Sequence, residues 1–437
     1  MSVTMATSLC LDDFDLIQLV TSDMNGIPRG KLIPRDVAKN KLAGLEVPQI
    51  IHCCGTACDL PPMSREDNFG NGVTVPDWSS LVGLPSATRP GRRVGQLIIG
   101  HLLQEDGQPD PTSPRYCVQQ LLTKLDGLGY KLHGYFSCQF FVFKQGENRE
   151  YLDESQVPVY TGGEGGEGGE GMMLELCRQL LMVGVEVHSW SAGGQGMYEI
   201  SLAPCEGLTV ADMAWRLRLG VRAVLAQHGY HVTFMTRPQG HKPAGTKLTF
   251  TLRDVTGRNL FLDRSTPDHF SVVCGQWLAG IIHHGPALTA LCRPTVNCYG
   301  HDDVTSPRRF DWDVNNVTSF LNVQVAEHEV WVEQQTASSA SNPYLLLLAT
   351  LAAGWDGQNT GLTCPERRSP AAVARPSTLA DCLPALQADG VMARAMTSLI
   401  HQSFVSVKQH FEVDKFKATE TLEATRELEN YLYYTRI

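Results

Sequence analysis

No stretch of this 437-residue chain is apolar over the ~20 residues that a bilayer span requires; the longest such run, 345–355 (LLLLATLAAGW), is far shorter. That run reads instead as a buried helix, with Asn342 as its N-cap and Pro343 at its first helical position. The start, MSVTMATSLCLDDFDL, lacks a basic n-region and places two aspartates where a signal peptide needs an apolar run, so neither export nor a membrane span is expected. Disulfide density is absent as well. The thirteen cysteines are odd in number and scattered from Cys10 to Cys382, which points to reduced thiols and a cytoplasmic setting. No second Cys or His pair follows Cys53, Cys54 and Cys58 at zinc-site spacing, so these three read as buried free thiols. Clustered positive charge is scarce too: 36 Lys and Arg face 46 Asp and Glu, a net charge of -10, which argues against nucleic acid or an anionic membrane as partner. The basic run Arg89-Pro90-Gly91-Arg92-Arg93 contains helix breakers and reads as a solvated linker.

What the chain does have is the substance of a large globular protein, with 43% hydrophobic residues and 19% charged. From Phe14 an alternating segment turns at Asp23-Met24-Asn25-Gly26 and resumes, predicting a hairpin. Further strand signals follow at Val47–His52, Gly72–Leu84 and Val94–Leu103. The Pro-rich stretch Gln104–Arg115 marks a boundary, giving a small mixed-sheet unit over residues 1–108 and a larger unit over 109–437. Within the larger unit, helical spacing at Cys117–Leu128, Met172–Met182, Val210–Gln227 and Phe270–Leu291 alternates with strand patterns at Tyr130–Phe143 and Val185–Leu202, an α+β arrangement. The tract 162–171, three glutamates among seven glycines, has nothing to bury and is expected to be a mobile loop. The end, Phe416–Tyr433, reads as a surface or inter-subunit helix.

The stretch that organises the rest is Phe234–Leu252 (FMTRPQGHKPAGTKLTFTL), a short apolar segment, a breaker-rich loop and a strand with Leu248, Phe250 and Leu252 on one face. PTVNCY follows at 294–299 and NPYL at 342–345. In this order the phrases resemble the class I type of the glutamine synthetase superfamily, which writes FMPKP, GSGMHxH, PTVNSY and NPYL. DxxGxPRGKLIP and VPDWSSLVGLP near the start resemble that family's N-terminal β-grasp domain. The resemblance implies a β-grasp domain and a C-terminal domain built on an antiparallel sheet with helices. It also implies a homo-oligomer of two stacked hexameric rings, a dodecamer, in which the β-grasp domain walls a neighbour's site.

The family makes γ-glutamyl phosphate from glutamate and ATP and lets ammonia displace the phosphate, using two divalent cations held by carboxylates and an imidazole. Carried onto this chain, the six metal-ligand positions fall on Ser137, Gln139, Ser191, Glu199, Lys247 and Glu333, of which only Glu199 and Glu333 keep a carboxylate. Five arginine positions that clamp phosphate and substrate fall on His301, Asn316, Leu321, Trp331 and Gln335. Phosphoryl transfer is carried by metal and cationic electrostatics, with single charges worth ~10³ or more in rate. The resemblance therefore implies a scaffold without catalytic, metal or cofactor residues, in a structural or filament-organising role with cytoskeletal partners such as intermediate filaments. A ligase with a reorganised site, and a small-molecule binder using the emptied funnel, are the competing readings. A lone buried glutamate is costly, so Lys247 is expected to neutralise Glu333 in place of the lost cation. His188, His283 and His284 are expected to be satisfied core residues rather than ligands.

Overall fold

The computed structural model describes residues 10–41, 44–62, 70–84, 93–146, 166–238, 242–266, 269–300 and 306–437. The Asp23 carboxylate closes the first hairpin by accepting from the backbone N–H groups of Asn25 and Ile27, with Gly26 at φ 79° supplying the left-handed step. It joins β1 (Leu16–Ser22) to β2 (Pro28–Pro34); α1 (Arg35–Lys41), β3 (Glu46–Pro48), β4 (Asn71–Gly83) and β5 (Val94–Leu103) follow. These strands form a five-stranded sheet in the order β2-β1-β5-β4-β3, with β1 and β5 parallel at its centre. The strand expected over Val47–His52 stops at Pro48, which has no N–H for a ladder, and Gln49–His52 turn into a 3-10 helix. Period-two alternation splits this sheet's apolar residues. Ile17, Leu19, Leu97 and Ile99 form a core of their own, while Val20, Met24 and Ile98 join the main core.

The larger sheet draws on β6 (Lys131–Lys144), β7 (Val187–Gly194), β8 (Met197–Leu202), β9 (Cys205–Glu206), β10 (Tyr230–Thr233), β11 (Gly245–Arg253), β12 (Trp312–Val314), β13 (Leu321–Val325) and β14 (Val330–Ser338). Its main path runs β12-β13-β14-β11-β6-β8-β7, with β9 and β10 also paired to β6. All pairings are antiparallel except β12 with β13, so the sheet is not wholly antiparallel as expected. Over it pack α2 (Pro114–Gly127), α3 (Gly166–Met182), α4 (Thr209–Gln227), α5 (Val272–His283), α6 (Gly285–Cys292) and α7 (Pro343–Asn359); α8 (Leu379–Ala388), α9 (Gly390–Met396) and α10 (Ser398–Lys408) follow. As expected, Asn342 caps α7, its side chain accepting from the Tyr344 N–H.

Three expectations need correcting. Helix α3 begins at Gly166, inside the Gly/Glu tract, because Met172, Met173, Leu176 and Leu180 give it a buried face that carries the helix backwards; residues 162–165 lie outside the described residues. The single helix over Phe270–Leu291 is two, broken at His284, with Pro286 near the start of α6. The C-terminal segment is not a surface helix throughout, since Leu432 and Tyr433 are fully buried.

His284 stands at that break with Nδ1 2.6 Å from Asp389 and Nε2 3.1 Å from Asp356. Burial works against its charged form, but the hydrogen bonds to Asp389 and Asp356 outweigh it and raise its pKa above 6.5. The sign follows: this stabilisation is full below pH 6.5 and is lost as the pH rises through the raised value. Urea titrations should therefore show wild type losing stability as the pH rises above 6.5, a loss that His284→Asn removes.

A second buried group ties the first hairpin to the C-terminus. Lys408, 1% exposed, is paired with Glu412 and donates to the Asn25 side chain at 3.0 Å, while Tyr433 donates to Glu412 at 2.6 Å. Lys408→Met strands a buried carboxylate and should cost about 3–5 kcal/mol in urea denaturation, most of which a second change, Glu412→Leu, should restore.

Candidate functional site

Strand β6 is the spine of the site. Leu132, Phe136, Cys138 and Phe140 point into the helix-covered core, so His133, Tyr135, Ser137 and Gln139 occupy the other face. Register then extends that second face across the sheet. Lys247 lies opposite Ser137, Thr249 opposite both Tyr135 and Glu333, Glu333 opposite Asn322, Glu199 opposite Gln139, and Ser191 opposite Glu199. All six positions carried over as metal-ligand sites thus share one sheet face. The organising stretch borders it: the chain leaves β10 at Thr233, Ala244 N–H donates to Thr236 C=O at 2.8 Å, and the chain returns as β11.

The two carboxylates are held separately. Gln139 Nε2 donates to Glu199 Oε2 at 2.7 Å, and Gln139 Oε1 accepts from the Gly245 N–H at 2.7 Å, so the amide bridges three strands. Glu333, 7% exposed, accepts from Thr249 at 3.4 Å and from Asn322 at 3.3 Å. Lys247, expected to neutralise it, is not the residue directly opposite it on the neighbouring strand. The register decides this. A bulge on β14 sets Gln335 and Thr336 against Lys247, and Thr249 takes the place beside Glu333. Tyr135 lies among these groups; burial raises its pKa, Thr249 and Lys247 lower it, and Glu333 adds to the rise. Ser137 is bonded to Ser201 at 2.8 Å.

The positions carried over as arginines are filled differently from one another. The Trp331 indole lies 5.4 Å from the His133 ring and 6.0 Å from Tyr135, its N–H donated to Glu329. Gln335 donates to the Asn316 carbonyl, Asn316 donates to Asp313, and Leu321 is fully buried in the core rather than lining the funnel. His301 lies outside the described residues. A cavity of about 330 Å³ adjoins Lys247, lined also by Gln139, Lys242, Arg293 and Gln335, with no carboxylate among its described lining residues.

Hard divalent cations need several converging oxygen anions. Here Glu199 is engaged by an amide, Glu333 by a hydroxyl and an amide, and an ammonium group stands on the same face; no three His, Cys, Asp or Glu side chains converge among the described residues. These residues do not fit a pair of magnesium ions. Of the three histidines, His188 and His283 are exposed and only His284 is buried, so two are surface residues rather than core. Cys53 and Cys54 are buried as expected, their thiols pushed by burial up to about 12 and about 11, whereas Cys58 is exposed. Asn322 and Ser201, which satisfy Glu333 and Ser137, escaped the sequence reading. Their only signal is cross-strand register, which a linear sequence does not display.

With this geometry in place, residues 111–428 match the family described as glutamine synthetase, catalytic domain. The chain belongs to the glutamine synthetase family, with that family's α+β fold. It is 28% identical to human lengsin over 421 residues, covering 90% of this chain and 79% of lengsin. It is 27% identical to the glutamine synthetase of Halobacterium salinarum over 379 residues, 82% of each. In structure it overlays apo GmaS with a TM-score of 0.82 at 25% identity, covering 95% of this chain and 96% of that one.

Restoring one family carboxylate tests the geometry directly. Gln139→Glu keeps an acceptor for the Gly245 N–H but replaces the donor that faces Glu199 with a second carboxylate, so it should destabilise the fold by about 1–3 kcal/mol at pH 7. Like-charge repulsion raises the pair's pKa, so the deficit should shrink as the pH falls toward about 5 in melting curves taken across that range.

Proposed function

We propose that this chain is a non-catalytic member of its family, a pseudoenzyme resembling lengsin, that works as a structural homo-oligomer. The observation that carries the reading is the Gln139–Glu199 bond beside Lys247, where an amide and an ammonium occupy positions that the resemblance assigns to metal ligands. Phosphoryl transfer relies on cations to spread the charge of the transferring phosphate, and the positions carried over as clamping arginines hold His301, Asn316, Leu321, Trp331 and Gln335 instead. The proposal includes two units, 1–108 and 109–437, a cytoplasmic dodecamer of stacked hexamers, and the structural role in eye-lens fibre cells that the likeness to lengsin suggests, with intermediate-filament or other cytoskeletal proteins as partners. No cofactor is part of it.

A second reading is favoured by the retained Glu199 and Glu333 and by the match to glutamine synthetases: an ATP-dependent carboxylate-amine ligase with a reorganised site. Titration with millimolar Mg-ATP separates the two. A ligand at about 100 times its Kd adds ~2.7 kcal/mol to folded-state stability, which a melting curve registers as a rise of degrees. The structural reading expects no change in Tm and no ADP release with glutamate and ammonia. A saturable rise would sink it.

A further inference from the structure

The cavity beside Lys247 has a charge pattern unlike the rest of the molecule. Of its described lining residues, Lys242, Lys247 and Arg293 are cationic and none is a carboxylate. The three come from separate parts of the fold: Lys242 is exposed on the loop before β11, Lys247 is half-buried on β11, and Arg293 is 7% exposed just past α6. Arg293 is held in place, donating to the Cys298 C=O while its guanidinium lies over the Tyr299 ring at 5.2 Å. On a chain of net charge -10, a concave surface lined in this way is an exception.

A buried hydroxyl adds a neutral donor. Ser338, on β14 and 4% exposed, lines the same cavity. The Cys298 thiol donates its hydrogen to Ser338 Oγ at 3.1 Å, and the sulfur lies 3.2 Å from Thr236 Oγ1 and 3.0 Å from Thr295 Oγ1. Ser338 Oγ thus acts as an acceptor inside the protein. Its own hydrogen has no acceptor among the described residues, which leaves it to donate to whatever fills the cavity. The lining amides are committed elsewhere: Gln139 bridges Glu199 and Gly245, and Gln335 donates to the Asn316 C=O.

We propose that this cavity binds a small dianion lacking an ammonium group, a dicarboxylate or a phosphate, without a metal ion. Its volume of about 330 Å³ lies within the range of small-molecule sites. Two lysine point charges and a buried guanidinium attract such an anion, and the Ser338 O–H donates to one of its oxygens. An amino acid fits less well, because its ammonium would meet three cations and no carboxylate among the described lining residues. The inference rests on the reading that no metal pair occupies this face: Lys247 repels a divalent cation and attracts the anion in its place.

The test uses the full chain dialysed against EDTA and isothermal titration calorimetry, with glutarate, inorganic phosphate and glutamate as separate probes. Saturable binding of glutarate or phosphate that weakens with added salt is expected, and the tighter of the two identifies the anionic group. Glutamate should bind about tenfold more weakly than that probe. Lys242→Gln, an exposed change, should weaken binding about threefold at unchanged Tm, and Lys247→Gln about tenfold. The proposal is overturned if neither dianion binds, if glutamate binds as tightly as the better of them, if binding appears only with added magnesium, or if it survives both lysine changes. Binding that needs magnesium would also count against the structural reading, whereas silence from every probe leaves that reading standing, so the two failures are told apart.

Discussion

The cross-strand register of β6 against β8 and β11 is the constraint from which the site follows. Because successive side chains of a strand alternate between faces, one apolar sequence on β6 commits Ser137 and Gln139 to the far face, and pairing then delivers Glu199, Lys247, Thr249 and Glu333 beside them. A slip of one residue would send the polar set into a core that holds Phe136, Phe140, Phe250 and Trp277. The large apolar core therefore holds the polar face in place, whatever that face is now used for.

Given that framework, each change of residue type has a local consequence that the neighbours absorb. Glutamine at 139 offers both a donor and an acceptor, and uses them on Glu199 and Gly245 at once. Asparagine at 322 and threonine at 249 donate to Glu333, which gives the buried carboxylate hydrogen-bond partners. Tryptophan at 331 meets the His133 ring at a tilt and the Tyr135 ring edge-on. The result is a face whose polar groups bond to one another across neighbouring strands.

Charge elsewhere is handled by the same rule at domain scale. Arg115 on α2 bridges Asp77 on β4 and Asp212 on α4, and Tyr344 on α7 completes Asp212, so a buried polar network clamps the smaller sheet to the helices. Lys408, Glu412, Asn25 and Tyr433 repeat the device at the other contact. Such networks specify geometry more than they add stability, since each buried charge must first lose its water.

The sequence by itself determined the family's fold, the hairpin at Asp23–Gly26, the Asn342 cap and the residue types at the six site positions, because these rest on periodicity, turn chemistry and phrases that read along the chain. Only the tertiary structure decided that Thr249 rather than Lys247 lies opposite Glu333, that α3 extends into the glycine-rich tract, and that His284 breaks a helix between two aspartates. Each of those depends on which strand or helix lies alongside which, and a bulge of one residue on β14 is enough to change the partner of a charge. Such pairings are set by packing in three dimensions, which no local pattern records.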